Sequence, residues 1–346
     1  MKKERFGYMP DGTEISLYTL ENDRISLSVS DLGALLVRLC VPDKNGRKAD
    51  IVLGFDSGEE YLDNPNCLGA IVVPVANRTR NASVVIDGTE YHMTVNEGSN
   101  NLHSDKKSFV TMWDIAAQGE DFITFAQERA DMSDGLPGDR RFEVTYTLLA
   151  DGVRVAYHVT STRPTYINPT NHSYFNLAGE ASGSILDQTL RMYAAEYTPL
   201  AEGQIPSGQI VPVKGTAFDF LTPKTFGLEM ESTEPQMVLA GGYDHNFVIE
   251  GYTGDGSMLT AACASDPASG RVMTVMTDMP GVQLYTANFT DIKNGKNGVH
   301  YGKRNGFCLE TQFFPDNVHH DNFRKAIFGG DTDLRTATKF RFSAAE

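Results

Sequence analysis

The chain has 346 residues and a formal charge of −15, from 30 basic and 45 acidic side chains. Apolar residues make up 40% of it and aromatic residues 10%, spread over the whole length, so we expect a folded protein rather than a disordered one. Because an acidic chain without a run of Lys or Arg repels phosphate backbones, composition argues against nucleic acid as a partner.

The N-terminal segment is basic but reaches a Pro-Asp-Gly turn at 10–12 without the apolar stretch of a signal peptide. The longest apolar stretch, 32–41, contains Arg38 and is far too short to span a membrane. We therefore predict a cytoplasmic protein with no membrane partner. The cysteines form no CxxC pair and are predicted to be free thiols; they are Cys40, Cys67, Cys263 and Cys308.

Alternating apolar and polar residues around Asp-Gly turns indicate antiparallel hairpins. Segments 83–86 and 90–93 flank one such turn, and segments 142–148 and 153–157 flank another. A further strand is predicted over 271–277, after a turn that contains Pro and Gly.

No stretch of a dozen residues has helical apolar spacing, and 32 Gly and 15 Pro interrupt the sequence throughout. The helices should be few and short. Many short strands without alternating helices predict an all-β fold, a large antiparallel β-sandwich. Because no linker or internal repeat divides the chain, we predict a single domain over residues 1–346.

Polar side chains concentrate in a few short segments bounded by strand-like sequence. Alternate residues of a strand face the same side, so Cys308, Glu310 and Gln312 should share one face. His172, Tyr174 and Asn176 should do the same, which would allow an imidazole to face a carboxylate. The segments are 76–78, 96–103, 168–177, 243–246 and 306–312.

His172 and Glu310 are the candidate acid and base. An imidazole suits proton transfer near neutral pH, although a hydrogen-bonded structural histidine is the alternative. Glu310 lies among apolar residues, where a charged group is costly unless it is paired or functional, and burial would make it a stronger base. Its alternative is an exposed strand glutamate whose neighbours face the core.

Three further residues could bind a ligand. Arg78 could hold a substrate hydroxyl or a developing anion with its rigid fork of donors, or could form a buried structural ion pair. His103 ends a loop rich in Asn and Gly, and Asp244 could bind a pair of sugar hydroxyls or could simply make a turn. The adjacent His245 would point to the opposite face of the strand and serve structure.

Cofactor motifs are lacking: no GxGxxG, GxxxxGK[ST] or HExxH pattern occurs. A metal held by His103, His172 and His245 would require these residues to converge in space, which their spacing does not show. We therefore predict no cofactor and no metal.

Together these segments resemble the aldose 1-epimerase family, also called galactose mutarotases, from about Gly7 to the C-terminal strand. The strongest match is Asn168-Pro-Thr-Asn-His-Ser-Tyr-Phe-Asn-Leu-Ala-Gly179. Others follow in the family's order: Ala76-Asn-Arg78, 96–103, Ile205-Pro-Ser-Gly208, Lys214-Gly-Thr-Ala-Phe-Asp219, Tyr243-Asp-His-Asn-Phe247, Pro280-Gly-Val-Gln-Leu-Tyr285 and Gly306-Phe-Cys-Leu-Glu-Thr-Gln312.

The resemblance implies a supersandwich of the galactose mutarotase type with an open cleft, a small aldose as substrate, interconversion of its α and β anomers, and no cofactor. It implies that Glu310 is the general base and His172 the general acid. The sugar-binding positions that it implies are Asn77, Arg78, His103, Asp244 and Gln283. The protein could be a monomer or a homodimer.

Two pairs of residues depart from the family's pattern. Val73-Pro74 stands where the family usually has Gly-Arg, and Ser104-Asp105 stands where it usually has Gly-Gly. We expect both pairs to border the cleft and to alter substrate preference.

Three alternatives use the same residues. They are a carbohydrate-binding protein without activity, a glycoside hydrolase with Asp244 and Glu310 as paired carboxylates, and an epimerase of a phosphorylated hexose bound by Arg78, Lys106 and Lys107.

Overall fold

A computed structural model describes residues 1–344, and within them the chain is built almost entirely of short strands. The first fourteen strands are β1 (Lys2–Tyr8), β2 (Glu14–Glu21), β3 (Ser26–Ser30), β4 (Leu36–Pro42), β5 (Lys48–Asp50), β6 (Ala70–Val72), β7 (Arg78–Thr79), β8 (Ser83–Ile86), β9 (Thr89–His92), β10 (Asn101–Leu102), β11 (Asp114–Gln118), β12 (Phe122–Arg129), β13 (Arg140–Leu149) and β14 (Gly152–Ser161).

The second half of the chain continues in the same way. Its strands are β15 (Thr165–Tyr166), β16 (Thr170–His172), β17 (Thr189–Met192), β18 (Glu196–Thr198), β19 (Val211–Pro212), β20 (Lys224–Thr225), β21 (Asp244–Val248), β22 (Leu259–Ser265), β23 (Arg271–Thr277), β24 (Gly281–Tyr285), β25 (Cys308–Gln312), β26 (Ile327–Phe328) and β27 (Leu334–Ala344).

Helices are few and short, as predicted. The one α-helix of the described residues, α1 (Pro235–Ala240), starts with Pro and ends at Gly241, whose φ of +65° suits a residue without a side chain. Short 3₁₀ turns lie at Glu59–Leu62, Arg80–Ala82, Lys107–Phe109, Glu202–Gln204, Lys296–Gly298 and Asn317–His319. None of these helices has the length and apolar character needed to cross a membrane.

Three large sheets form the framework, and every pairing between named strands is antiparallel. The first contains β1 to β5 in chain order. The second has nine strands in the order β11-β12-β13-β14-β27-β23-β22-β17-β20, and the third has the order β19-β18-β21-β24-β25. Four further sheets have two strands each: β6/β16, β7/β10, β8/β9 and β15/β26.

The predicted hairpins are confirmed. β13 pairs with β14 so that Leu148 lies opposite Val153, and β8 pairs with β9 across the Asp-Gly turn. In β13 every second residue is buried, beginning with Arg140 and continuing through Phe142 and Val144, because one face packs on the core while the other is partly exposed. The prediction of an all-β fold therefore holds, and β27 joins the two halves of the nine-stranded sheet.

Candidate active site

A cavity of about 240 Å³ opens where the ends of the third sheet and the pair β6/β16 meet. It is lined mainly by polar side chains. Of the seven residues predicted for the site, six line it: Asn77, Arg78, His103, His172, Asp244 and Glu310. The seventh, Gln283, is buried and does not line the cavity.

The strand register of the third sheet explains how distant residues converge. Residues directly opposite each other in neighbouring strands face the same side. Asn246 of β21 pairs with Gln283 of β24, which pairs with Glu310 of β25. In the adjacent row, Asp244 pairs with Tyr285, which pairs with Cys308. One face of this sheet is therefore polar and points toward the cavity.

The other face of the same strands is apolar. His245 is fully buried there against the rings of Tyr197 and Phe218, and its Nε2 lies 3.1 Å from the Oε1 of Gln236. Burial lowers the pKa of His245 to about 3. This histidine is structural and faces away from the cavity, as the alternation along the strand predicted.

His172 and Glu310 face each other across the floor of the cavity. The Nε2 of His172 lies 3.6 Å from the Oε1 of Glu310, and the two residues are only 5% and 2% exposed. The Oε2 of Glu310 has no hydrogen-bond partner among the described residues. The alternative of an exposed strand glutamate is therefore wrong.

Burial shifts the two pKa values in opposite directions, because it disfavours the charged form of each group. It raises the pKa of Glu310 well above its usual range, and the nearby charge of Asp244 adds to this rise. It lowers the pKa of His172 to about 4, with a smaller contribution from Lys106. Glu310 is thus a stronger base, and protonated His172 a stronger acid, than either would be in water.

His103 stands beside His172, with its ring centroid 5.2 Å away in an edge-on arrangement. The Nδ1 of His103 accepts the backbone N–H of Asn77 at 3.2 Å. The neutral ring therefore carries its proton on Nε2 and offers a hydrogen-bond donor. Burial keeps it neutral by lowering its pKa well below the usual range.

A metal ion fits this cluster poorly. Nitrogen and oxygen atoms of His103, His172 and Glu310 lie within 4.8 Å of one another, so the structure brings together two of the three histidines that we considered. However, His245 lies on the far face, and the Nε2 of His103 carries a proton where a metal would need a lone pair. The arrangement is that of a hydrogen-bonding site.

The guanidinium of Arg78 lies between two carboxylates. Its Nε and Nη2 donate to Glu97 at 2.7 and 2.8 Å, and its Nη1 lies 3.6 Å from the Oδ2 of Asp244. The amide of Gln283 donates to the other oxygen of Asp244 at 2.7 Å. Gln283 therefore acts on the site through Asp244.

Asn77 completes this wall of the cavity. Its Oδ1 accepts the backbone N–H of Arg78 at 2.7 Å, and the residue has a φ of +64°, which asparagine tolerates better than most residues. The donors of its amide group are left for a ligand.

The expectation that the two departures border the cavity is wrong. None of Val73, Pro74, Ser104 and Asp105 lines it. The Ser104 hydroxyl instead bonds both backbone groups of Val75 at 2.8 and 2.9 Å. The Asp105 side chain is buried away from the cavity and pairs with Arg129 at 3.2 Å.

The next residue, Lys106, does line the cavity, whereas Lys107 is exposed. Other lining residues received no role from the sequence: Pro65, Asn66, Cys67, Glu97, Leu102, Tyr174, Gln204, Tyr285 and Phe289. Glu97 lies in a segment that we had singled out, but nothing in its spacing indicated its pairing with Arg78.

Residues 16–332 match the aldose 1-epimerase family. The galactose mutarotase of Homo sapiens is 37% identical over 347 residues, which cover 98% of each chain. The aldose 1-epimerase of Escherichia coli (strain K12) is 32% identical over 323 residues and 92% of each chain.

Solved structures share the fold. A GalM/aldose epimerase homologue from C. elegans matches with a TM-score of 0.87 at 28% identity, over 95% of this chain and 99% of the other. The galactose 1-epimerase of Lactobacillus acidophilus NCFM matches with a TM-score of 0.85 at 24% identity, over 100% and 99%.

Proposed function

Because the chain belongs to the aldose 1-epimerase family, we propose that Glu310 and His172 are the acid/base pair with which it interconverts the anomers of a free aldose such as D-galactose or D-glucose. The protein is an isomerase of the mutarotase type. The observation that carries the assignment is the pair itself, two buried groups 3.6 Å apart in a cavity of monosaccharide size.

Ring opening requires two proton transfers. Glu310 removes the proton of the C1 hydroxyl while His172 donates a proton to the ring oxygen, and the C1–ring oxygen bond breaks to give the free aldehyde. Rotation about the C1–C2 bond exposes the other face of the carbonyl. The two groups then exchange roles, and the ring closes to the other anomer.

The pair holds one proton before and after ring opening. At rest it is a carboxylic acid and a neutral imidazole; transfer of that proton from Glu310 to His172 gives the reacting carboxylate and imidazolium, and ring opening returns the pair to the neutral form. Because burial disfavours both charged forms, the directions of the pKa shifts at Glu310 and His172 favour this return to the neutral form. The ring-closing step restores the charges, which hydrogen bonds to the sugar stabilise.

The remaining residues bind the sugar hydroxyls. We assign donors to Asn77, His103 and Arg78, and an acceptor pair to Asp244. Gln283 is assigned a positioning role, because it holds Asp244 rather than reaching the cavity. The predictions of one domain over residues 1–346, of a cytoplasmic location and of a monomer or homodimer stay predictions.

The test is polarimetry of freshly dissolved α-D-galactose, with α-D-glucose, L-arabinose and D-xylose in parallel. The wild-type protein should accelerate the approach to anomeric equilibrium, and Glu310→Gln should not. A methyl galactoside is the control, because a blocked C1 hydroxyl has no proton to give. Hydrolysis of that glycoside would instead favour the paired-carboxylate hydrolase, and binding without acceleration would favour a carbohydrate-binding protein.

A further inference from the structure

Glu97 occupies two N–H donors of the Arg78 guanidinium that an anionic ligand would otherwise bind. An arginine binds carboxylate or phosphate most strongly through two parallel N–H donors. In this structure Nε and Nη2 form such a pair with the two oxygens of Glu97, at 2.7 and 2.8 Å. The remaining side of the fork is turned to Asp244, whose Oδ2 lies 3.6 Å from Nη1.

The turn that carries Glu97 fixes its position. Glu97 and Asn100 exchange backbone hydrogen bonds at 2.8 and 3.2 Å around a turn in which Gly98 has a φ of +60°. The Arg78 side chain is only 10% exposed, and that of Glu97 is 34% exposed. The carboxylate is thus held over a buried cation at the edge of the cavity.

The charged side chains of the cavity wall also disfavour an anionic ligand. Three carboxyl groups line it, those of Glu97, Asp244 and Glu310, against two cations, Arg78 and Lys106. Since Arg78 lies between two of these carboxylates, an anionic ligand would meet their negative charge at the place where it would seek a partner.

We propose that Glu97 makes the site selective for uncharged aldoses, because it occupies the donors of Arg78 that would otherwise bind an anionic substituent of the sugar. This inference rests on the proposed function and names the substrate class that the same cavity takes. Aldoses that carry a carboxylate or a phosphate are excluded, and the exclusion depends on the charge of one side chain.

Competition with D-galactose tests it, with D-galacturonate and D-glucose 6-phosphate as the anionic probes in the polarimetric assay. For the wild type we expect inhibition constants at least about 10-fold above the KM for D-galactose. Glu97→Gln, which keeps the shape but removes the charge, should lower both constants about 10-fold. The matched control is Glu202→Gln, because Glu202 lines the neighbouring groove and is exposed.

The outcomes separate the inference from the function on which it rests. If wild type accelerates D-galactose mutarotation but Glu97→Gln gains no affinity for either anion, the selectivity role of Glu97 is overturned. Strong inhibition of the wild type by the anions would overturn it as well, and would point to Lys106 as their partner. If the wild type accelerates no aldose, the proposed function itself fails.

Discussion

The Sγ of Cys308 lies 3.6 Å from the Nδ1 of His172, the ring nitrogen that does not face Glu310. Burial raises the pKa of the Cys308 thiol well above its usual range, so the sulfur keeps its proton. Because ring opening takes the proton from the Nε2 that faces Glu310, the neutral ring keeps its proton on Nδ1, and the Cys308 sulfur accepts that N–H. Cys308 can therefore hydrogen-bond to Nδ1 in both protonation states of the His172 ring.

Replacing this thiol should slow turnover. We expect Cys308→Ala to lower kcat about 3- to 10-fold, the effect of one lost hydrogen bond, and Cys308→Ser to retain more activity because a hydroxyl can still accept the Nδ1–H of His172. The ¹⁵N chemical shifts of the His172 ring report its tautomer independently of activity. An alanine variant with unchanged kcat and unchanged shifts would remove Cys308 from the mechanism.

Loss of either member of the acid/base pair should be far more damaging. Glu310→Gln and His172→Asn should each lower kcat at least about 10²-fold, because each removes a proton-transfer group while keeping a similar shape. Circular dichroism checks that the fold is intact. Glu143→Gln, in the remote strand β13, serves as the control and should behave like wild type. Near-normal turnover in either site variant would exclude that residue from the proton transfer.

The dependence of kcat/KM on pH should be bell-shaped, because the active pair carries one proton. Below about pH 4 the pair gains a second proton on His172, whose pKa is lowered to about 4 by burial. At high pH the last proton leaves Glu310, whose pKa is raised. Activity should thus persist well below pH 6 and fall on an alkaline limb. An acid limb near the ordinary histidine value would contradict this assignment.

Two substitutions should move the alkaline limb in opposite directions. The charge of Asp244 raises the pKa of Glu310 and that of Arg78 lowers it. Asp244→Asn should therefore shift the limb to lower pH, and Arg78→Met to higher pH, in addition to raising KM. Profiles of kcat/KM for both variants provide the measurement. Shifts of the same sign would mean that another group governs this limb.

The sequence predicted those parts of the fold that depend on local pattern. The alternation of apolar and polar residues in β13 and β14, together with the Asp-Gly turns, predicted the hairpins correctly. Strand register and burial there follow from residues that are close in the sequence. The sequence also predicted that Asp244 and His245 face opposite sides of the sheet, because adjacent residues of a strand alternate between its two faces.

Interactions between distant segments could not be predicted. The pairing of Glu97 with Arg78 depends on how the turn at 97–100 packs over β7, and no spacing rule reports that. Likewise, Ser104 and Asp105 follow His103 directly, yet they point away from the cavity because their side chains find partners in Val75 and Arg129. The resemblance to the family indicated which positions to consider for the site, but the contacts of those residues could be read only from the structure.

The place of β27 has a consequence for how the chain reaches its folded state. This strand, Leu334–Ala344, lies between β14 and β23 and pairs with both along most of its length. The two halves of the nine-stranded sheet therefore cannot join until this late segment has left the ribosome. Strand pairs formed from such distant parts of a chain close slowly. A nascent chain that already contains Glu310 would thus still lack the framework that holds its active site.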